Sequence, residues 1–393
     1  MKEIDRWLLP EGIEEVLPPQ ARQLESLRRR LLDLYDSWGY DLVMPPFIEY
    51  LESLLIGTGY DLDLKTFKLT DQLTGRLMGV RADMTPQVAR IDAHHLKSHT
   101  PTRLCYLGTV LHTRPSGFGA SRSPLQVGAE LYGHAGVESD IEILSLMVET
   151  LRLCGVKESY FDLGHVGIFR GLAKQASLSA QQEDELFDVL QRKSRPDMLV
   201  LFEKWSLDKK LAEKFLGLSE LNGDVTILGE AGKLLKGSGK SVLDALAYLE
   251  SMAGMISQRL PDVTVHFDLA ELRGYNYHTG AVFAAFVPGR GSAVAQGGRY
   301  DDIGEVFGQA RPATGFSTDL KTLLSLSETQ KASVSGIFAP SEQDDVLVKQ
   351  VLELRQQGER VVVALPGQQG GAVEMGCDRQ LLKKNNQWQV EPV

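Results

Sequence analysis

Two stretches decide how this chain is read: Arg273-Gly274-Tyr275-Asn276-Tyr277-His278-Thr279-Gly280 and Gln296-Gly297-Gly298-Arg299-Tyr300-Asp301. In the first, a fixed cation is followed by Gly274, which lets a ligand come close to the backbone. A free α-amino acid presents an ammonium, a carboxylate and a side chain, so its site needs an anion, a cation and a shaped polar floor. Arg273 is the candidate cation. Asp83 and Thr85 supply polar groups in Arg81-Ala82-Asp83-Met84-Thr85-Pro86, where Pro86 predicts extended backbone at Thr85. Each feature also has a plain structural reading: Asp83-Met84-Thr85 as a helix-start cap, Gly297-Gly298 as a turn.

Working outward, residues 103–133 read as a long β-hairpin whose tip, Arg114-Pro115-Ser116-Gly117-Phe118-Gly119, is dense in turn formers. On the returning strand, period-two alternation puts Gln126 and Glu130 on one face with only Gly128 between them, an open polar floor or a solvated sheet face. After Pro18-Pro19, Ala21, Leu24, Leu27, Leu31, Leu34 and Trp38 recur at helical spacing, and Gly39 predicts the stop. Val43-Met44-Pro45-Pro46 reads as an extended strand, and Ser139 with Glu142 reads as a capping box opening a second helix. Residues 167–260 are helical in pattern, with starts expected at Ser179, Ser194 and Ser241 and breaks at Gly223, Gly229 and Gly237. Strand patterns return at Val265–Leu269, Ala281–Val287 and Thr314–Leu320. The expected class is α+β, a largely antiparallel sheet flanked by helices. Residues 1–325 form the expected core with a helical insertion, 326–336 a linker, and 337–393 a small α/β unit ending in a strand at Trp388-Gln389-Val390.

Hydrophobic residues make up 43% of the chain and charged residues 24%, which excludes disorder as the default. The net charge of −10, without a basic tract, weighs against nucleic acid as the main partner. Cys105, Cys154 and Cys377 are far apart, so neither a zinc site nor a disulfide framework is expected. His94, His95 and His99 lack metal-ligand spacing and read as surface positions. Neither a signal segment nor a membrane span is legible, and a cytoplasmic setting is expected.

The order of the segments adds what their composition cannot. Pro45-Pro46…Glu49 and Arg81–Arg90 resemble the first motif of the class II aminoacyl-tRNA synthetases and the segment after it. Arg103-Leu104-Cys105-Tyr106-Leu107-Gly108 and Gln126-Val127-Gly128-Ala129-Glu130-Leu131-Tyr132-Gly133 resemble the second, and the two opening stretches resemble a pair of motifs special to histidyl-tRNA synthetases. The resemblance covers residues 1 to about 325 and implies the class II synthetase core. It implies that Asp83 and Thr85, with Gln126 nearby, hold a histidine ammonium. It also implies that Glu130 accepts from the imidazole, that Arg273 faces the carboxylate and that Tyr277 and Tyr300 wall the pocket. Asp83 stands where those enzymes have glutamate, and His278 where they have a second tyrosine.

Two departures bear on activity. The arginines that handle ATP in that family are replaced by His112 and Thr322, with Lys321 where they have glutamate. Adenylation spreads negative charge that fixed cations must stabilise, so this replacement implies lost activation. A synthetase-like core with a short C-terminal unit, together with Gly164-His165-Val166-Gly167-Ile168-Phe169-Arg170-Gly171, is similar to the ATP phosphoribosyltransferase regulatory subunits. That resemblance implies a non-catalytic chain, with no cofactor expected, in a hetero-oligomer holding several copies both of this chain and of the short catalytic subunit that opens histidine biosynthesis. It implies histidine as allosteric ligand and no role for tRNA. An active histidine–tRNA ligase and a tRNA-binding paralogue stand as the alternatives.

Overall fold

The computed structural model describes residues 7–56, 60–115, 117, 121–272, 274–275, 277–308, 310–327 and 335–393. The chain divides into two units, Met1–Val16 with Leu24–Glu328 and Leu17–Gln23 with Thr329–Val393.

Helix α1 (Gln20–Ser37), which belongs to the first unit from Leu24 on, buries Leu24, Leu27, Leu31 and Tyr35, and Gly39 at φ +80° turns the chain out of it. Tyr35 continues the leucine stripe four residues after Leu31 and is wholly buried, its hydroxyl paired with Thr150 at 3.1 Å. Then come β1 (Asp41–Leu42), β2 (Ile48–Tyr50), α2 (Leu51–Leu54), α3 (Tyr60–Lys65), β3 (Phe67–Thr70) and β4 (Leu77–Val80). The extended segment expected at 43–46 enters the sheet only at its start, where the Val43 amide reaches the Cys105 carbonyl. Strands β2, β4 and β3 make a small antiparallel sheet.

Helix α4 (Thr85–Arg90) corrects one expectation. Thr85 is its first residue and not extended chain, because proline at the second helical position needs no amide partner. Ile91–Leu96 continues it as a wider helical turn. The hairpin forms as β5 (Thr102–Thr109) and β6 (Leu125–Tyr132), paired antiparallel. Helix α5 (Val137–Leu153) starts earlier than Ser139 and has no capping box. The Ser139 hydroxyl donates back to the His134 and Gly136 carbonyls, while Glu142 is held by Arg103 and Tyr40.

After β7 (Tyr160–His165) the chain is almost wholly helical: α6 (Val166–Gln175), α7 (Ala180–Gln191), α8 (Arg195–Lys204), α9 (Lys209–Glu220), the short β8 (Asn222–Gly223), α10 (Thr226–Leu234) and α11 (Lys240–Arg259). Ser179 makes a full capping box for α7, but α11 is preceded by Gly239 and not opened by Ser241. Gly229 sits inside α10, where tertiary packing outweighs its poor helix propensity. The unit closes with β9 (Thr264–Asp268), β10 (Ala281–Phe286), β11 (Ala295–Arg299), β12 (Ala313–Asp319) and α12 (Leu320–Leu326).

The main sheet has nine strands in the order β1-β5-β6-β12-β11-β10-β7-β9-β8. Pairing is antiparallel except between β1 and β5 and between β7 and β9. Helices α5, α6 and α11 pack together and against its strands, around a core that includes Leu144, Leu163, Phe169, Phe283 and Phe316. The class is α+β, as the sequence leads one to expect.

In the second unit β13 (Ile337–Ala339), α13 (Asp345–Gln356), β14 (Val361–Val363), β15 (Arg379–Lys384) and β16 (Gln387–Pro392) build a four-stranded sheet in the order β14-β13-β15-β16. Its core is Ile337, Ala339, Leu347, Val351, Val361, Leu381 and Trp388. Among the described residues, no helix is long and apolar enough to cross a membrane.

Candidate functional site

Glu130 lies mid-way along β6, opposite Leu104 of β5 and Gly315 of β12. Its carboxylate fills the space that a side chain at 315 would take, since a Cβ there would stand 1.4 Å from Glu130 Oε2. Gly128 plays the same part for Tyr106, whose hydroxyl would meet a Cβ at 2.5 Å. Oε1 of Glu130 accepts from Tyr106 Oη at 2.8 Å and Thr85 Oγ1 at 3.1 Å, and Oε2 accepts from Tyr300 Oη. Burial pushes the carboxyl up to about 8, against the pull of the Tyr300 and Tyr106 hydroxyls. The expected open floor is therefore a closed one: Gln126 and Glu130 are both buried beneath residues from other elements.

Asp83 stands beside this cage. Its Oδ1 accepts from Gln126 Nε2 at 2.8 Å and from the Thr85 amide at 2.9 Å, while Gln126 Oε1 accepts from the Met84 amide at 3.0 Å. Asp83 stands one residue before Met84, the N-cap of α4, so it does not cap the helix in the usual way; its hold on the Thr85 amide and on Gln126 is what aims the carboxylate.

The loop before β10 and the end of β11 complete the wall. Tyr277 stacks on Tyr300 with ring centroids 5.0 Å apart, and His278 lies 5.4 Å from Tyr277. The Tyr277 hydroxyl is enclosed and has no hydrogen-bond partner among the described residues. Burial lowers the His278 imidazole to about 4, so it is neutral, with Nδ1 3.3 Å from the Arg299 carbonyl. Gly274, at φ +66°, leaves room for that ring, which a Cβ would meet at 2.7 Å. Arg273, the candidate carboxylate partner, lies outside the described residues.

Three further residues organise the site. Tyr106 shares the β5 face of Leu104, so strict alternation from Glu130 across the hairpin could have found it. Arg170 donates to the His278 carbonyl at 2.8 Å and the Tyr275 carbonyl at 2.6 Å, with its guanidinium 4.6 Å from the Tyr275 ring centroid. Arg299 is buried against Asp140 of α5 at 3.1 Å and also binds Ser139 and the His134 and Gly136 carbonyls. Arg299 also pairs with Asp301 two residues on, at 3.2 Å, but the other partners of Arg170 and Arg299 are carbonyls and a carboxylate far away in sequence that no local pattern announces.

His112 and Thr322 are committed elsewhere. His112 Nε2–H donates to the Ala82 carbonyl at 2.9 Å, and burial lowers its imidazole and keeps it neutral. Thr322 Oγ1 donates to Asp319 Oδ2 at 2.8 Å in the first turn of α12. Asp319 also accepts from the Leu125, Lys321 and Thr322 amides, while Arg114 is exposed on the hairpin. Neither position offers the cation that phosphate chemistry requires. Among the described residues, no cluster of His, Cys, Asp or Glu could hold a metal ion.

Comparison with known proteins bears on the family and the fold. The histidyl-tRNA synthetase family model matches residues 12–323, and the model of the ATP phosphoribosyltransferase subunit HisZ C-terminal domain matches residues 334–391. The ATP phosphoribosyltransferase regulatory subunit of Thioalkalivibrio sulfidiphilus is 61% identical over 99% of both chains. That of Alkalilimnicola ehrlichii is 58% identical over 99% of this chain and 98% of its own. A crystal structure from Bacillus halodurans, titled an ATP phosphoribosyltransferase regulatory subunit/histidyl-tRNA synthetase, superposes with a TM-score of 0.82 at 26% identity, covering 93% of this chain and 94% of that one. The histidyl-tRNA synthetase of Nostoc shares the fold, with a TM-score of 0.79 at 20% identity over 96% of this chain and 91% of its own.

Proposed function

The chain belongs to the family of ATP phosphoribosyltransferase regulatory subunits, and from that membership we propose that it is the non-catalytic partner of a short phosphoribosyltransferase chain, activating it and relaying inhibition by histidine. The observation that carries the histidine part is the cage around Glu130, flanked by Asp83, Gln126, Tyr277 and Tyr300, beside ATP positions that hold His112 and Thr322. Asp83 and Thr85 receive the ligand ammonium, with Gln126 beside them. Tyr277, His278 and Tyr300 enclose the imidazole, and Arg273 takes the carboxylate.

Both Glu130 oxygens already accept from hydroxyls, so an imidazole N–H takes the place of one of them. Tyr300 is the donor best placed to yield, because it belongs to the segment after β11 and not to the central hairpin. Its displacement is then the first event that other subunits can feel. Histidine regulates only by binding two states of the assembly with different affinity, and its affinity for this chain changes reciprocally when the catalytic chain binds.

The test is calorimetric titration of histidine into the complex with the catalytic chain, with inhibition followed in parallel. Glu130→Ala is expected to weaken binding roughly 5- to 100-fold, from about 1–3 kcal/mol for leaving the buried imidazole N–H without its acceptor. Unchanged binding and unchanged inhibition in that variant would remove Glu130 from the sensor. A shift of labelled tRNA that weakens steeply with salt would favour the tRNA-binding alternative instead.

A further inference from the structure

The run Gly164–Gly171 has no part in the histidine pocket beyond the hold of Arg170 on the loop, yet it lines a separate cleft. This cleft lies between α6 and α11, opens broadly to solvent with a volume of about 460 Å³ and is lined by His165, Arg170, Lys174, Ser241, Asp244 and Tyr248 among others. A volume of that order suits a small organic ligand. Gly171 lets the two helices meet closely, since a Cβ there would stand 2.5 Å from Val242 and 3.0 Å from Ser241 Oγ. The Ser241 hydroxyl is thereby brought against the turn of α6 that carries Arg170 and Lys174.

The lining is cationic and largely uncompensated. Arg170 and Lys174 are four residues apart on α6 and so share a face, roughly 6 Å apart at Cβ. Among the described residues, no carboxylate lies within ion-pair distance of either. Arg170 gives two of its five N–H groups to loop carbonyls and also meets the Tyr275 side chain, which holds the guanidinium in place beside the cleft with N–H groups left over. The carboxylate in the lining, Asp244, is paired with Lys240 at 2.6 Å. His165 accepts the Gly167 amide through Nδ1 at 3.0 Å, which leaves Nε2–H as a donor. The Tyr248 hydroxyl is tied to Asp140, which fixes its ring as one wall.

We propose that this cleft is a binding site for a phosphorylated small molecule, its phosphoryl oxygens held by Arg170, Lys174 and Ser241. A planar guanidinium fork with an ammonium one helical turn away matches the several oxygens of a phosphoryl or pyrophosphoryl group better than it matches a single carboxylate. The site is distinct from the histidine pocket, although Arg170 touches both.

The test is titration of potassium pyrophosphate into the full-length chain at ionic strength held constant with potassium chloride. A saturable one-site isotherm is expected, weakened roughly tenfold, or about 1.4 kcal/mol, by Lys174→Gln. Lys174 is exposed, so this variant keeps its fold, which an unchanged melting temperature verifies. Lys349→Gln, on the exposed face of α13, is expected to leave the isotherm unaltered and controls for general charge. Glu130→Gln is expected to alter histidine binding and leave pyrophosphate binding intact. An isotherm that does not saturate, one indifferent to Lys174→Gln, an equal loss in Lys349→Gln, or a loss in Glu130→Gln would each overturn the proposal.

Discussion

Glu130 carries three hydroxyl donors on two oxygens while burial holds its carboxyl near 8, well above its ordinary 4.5. A carboxyl whose folded value is raised binds its proton more tightly when folded, so its contribution favours folding at low pH. That contribution is fully present below about 4.5 and is lost progressively as pH rises through 8. Glu130→Gln, which cannot ionise, is therefore expected to become more stable relative to the parent between pH 5 and pH 9, by an amount on the order of a few kcal/mol. Denaturant melts of both proteins across that range give the difference directly. A difference that stays flat with pH would show that Glu130 is ionised throughout. The residue types of this cage were legible in the sequence, and Glu130, Thr85 and Tyr300 do converge. What was not legible was its closure: alternation alone cannot tell a solvated floor from one roofed by Tyr300, a residue 170 positions away.

At the level of elements, the packing of β12 against β6 leaves no tolerance at Gly315, because Glu130 occupies the place of a side chain there. Gly315→Ala is expected to cost about 1–3 kcal/mol of stability through forced displacement of Glu130. Histidine binding is expected to fall even in the folded fraction. Urea unfolding and a histidine titration of the same sample separate the two effects, and wild-type behaviour in both would mean that β12 can shift. Period-two reading found β5, β6, β9, β10 and β12 because each places apolar residues on a buried face. It passed over β15, whose Arg379-Gln380-Leu381-Leu382-Lys383-Lys384 buries only Leu381, and over β7, which carries Asp162, Gly164 and His165 among its six residues. The capping box expected at Ser139 failed for a comparable reason. Arg299 and Arg103 claim the side chains that would have made it, and tertiary partners outrank local ones.

For the molecule as a whole, the missing cations at 112 and 322 bear on what the assembly does with a bound amino acid. Histidine-dependent exchange between ATP and pyrophosphate is expected to be absent from the purified chain, alone and with its catalytic partner. Exchange that depends on histidine would show that adenylation survives and would favour the ligase alternative. The overall architecture was legible from the order of the segments far more than from any one of them. Arg170 and Arg299 both fall in stretches that the sequence singles out, but their part in tying the loop and β11 to the helical layer was not legible there, because it lies in carbonyl oxygens and in a carboxylate, Asp140, 159 residues away.

Asp319 receives four hydrogen bonds at the head of α12, two of them from Thr322 itself. An arginine put back at 322 would forfeit the hydroxyl bond before it met any phosphate, and one at 112 would have to break the contact with the Ala82 carbonyl. Each step is unfavourable alone and useful only in company. Single substitutions at 112 or 322 thus disrupt an existing polar arrangement before they can add a useful charge, so neither alone is a route to adenylation.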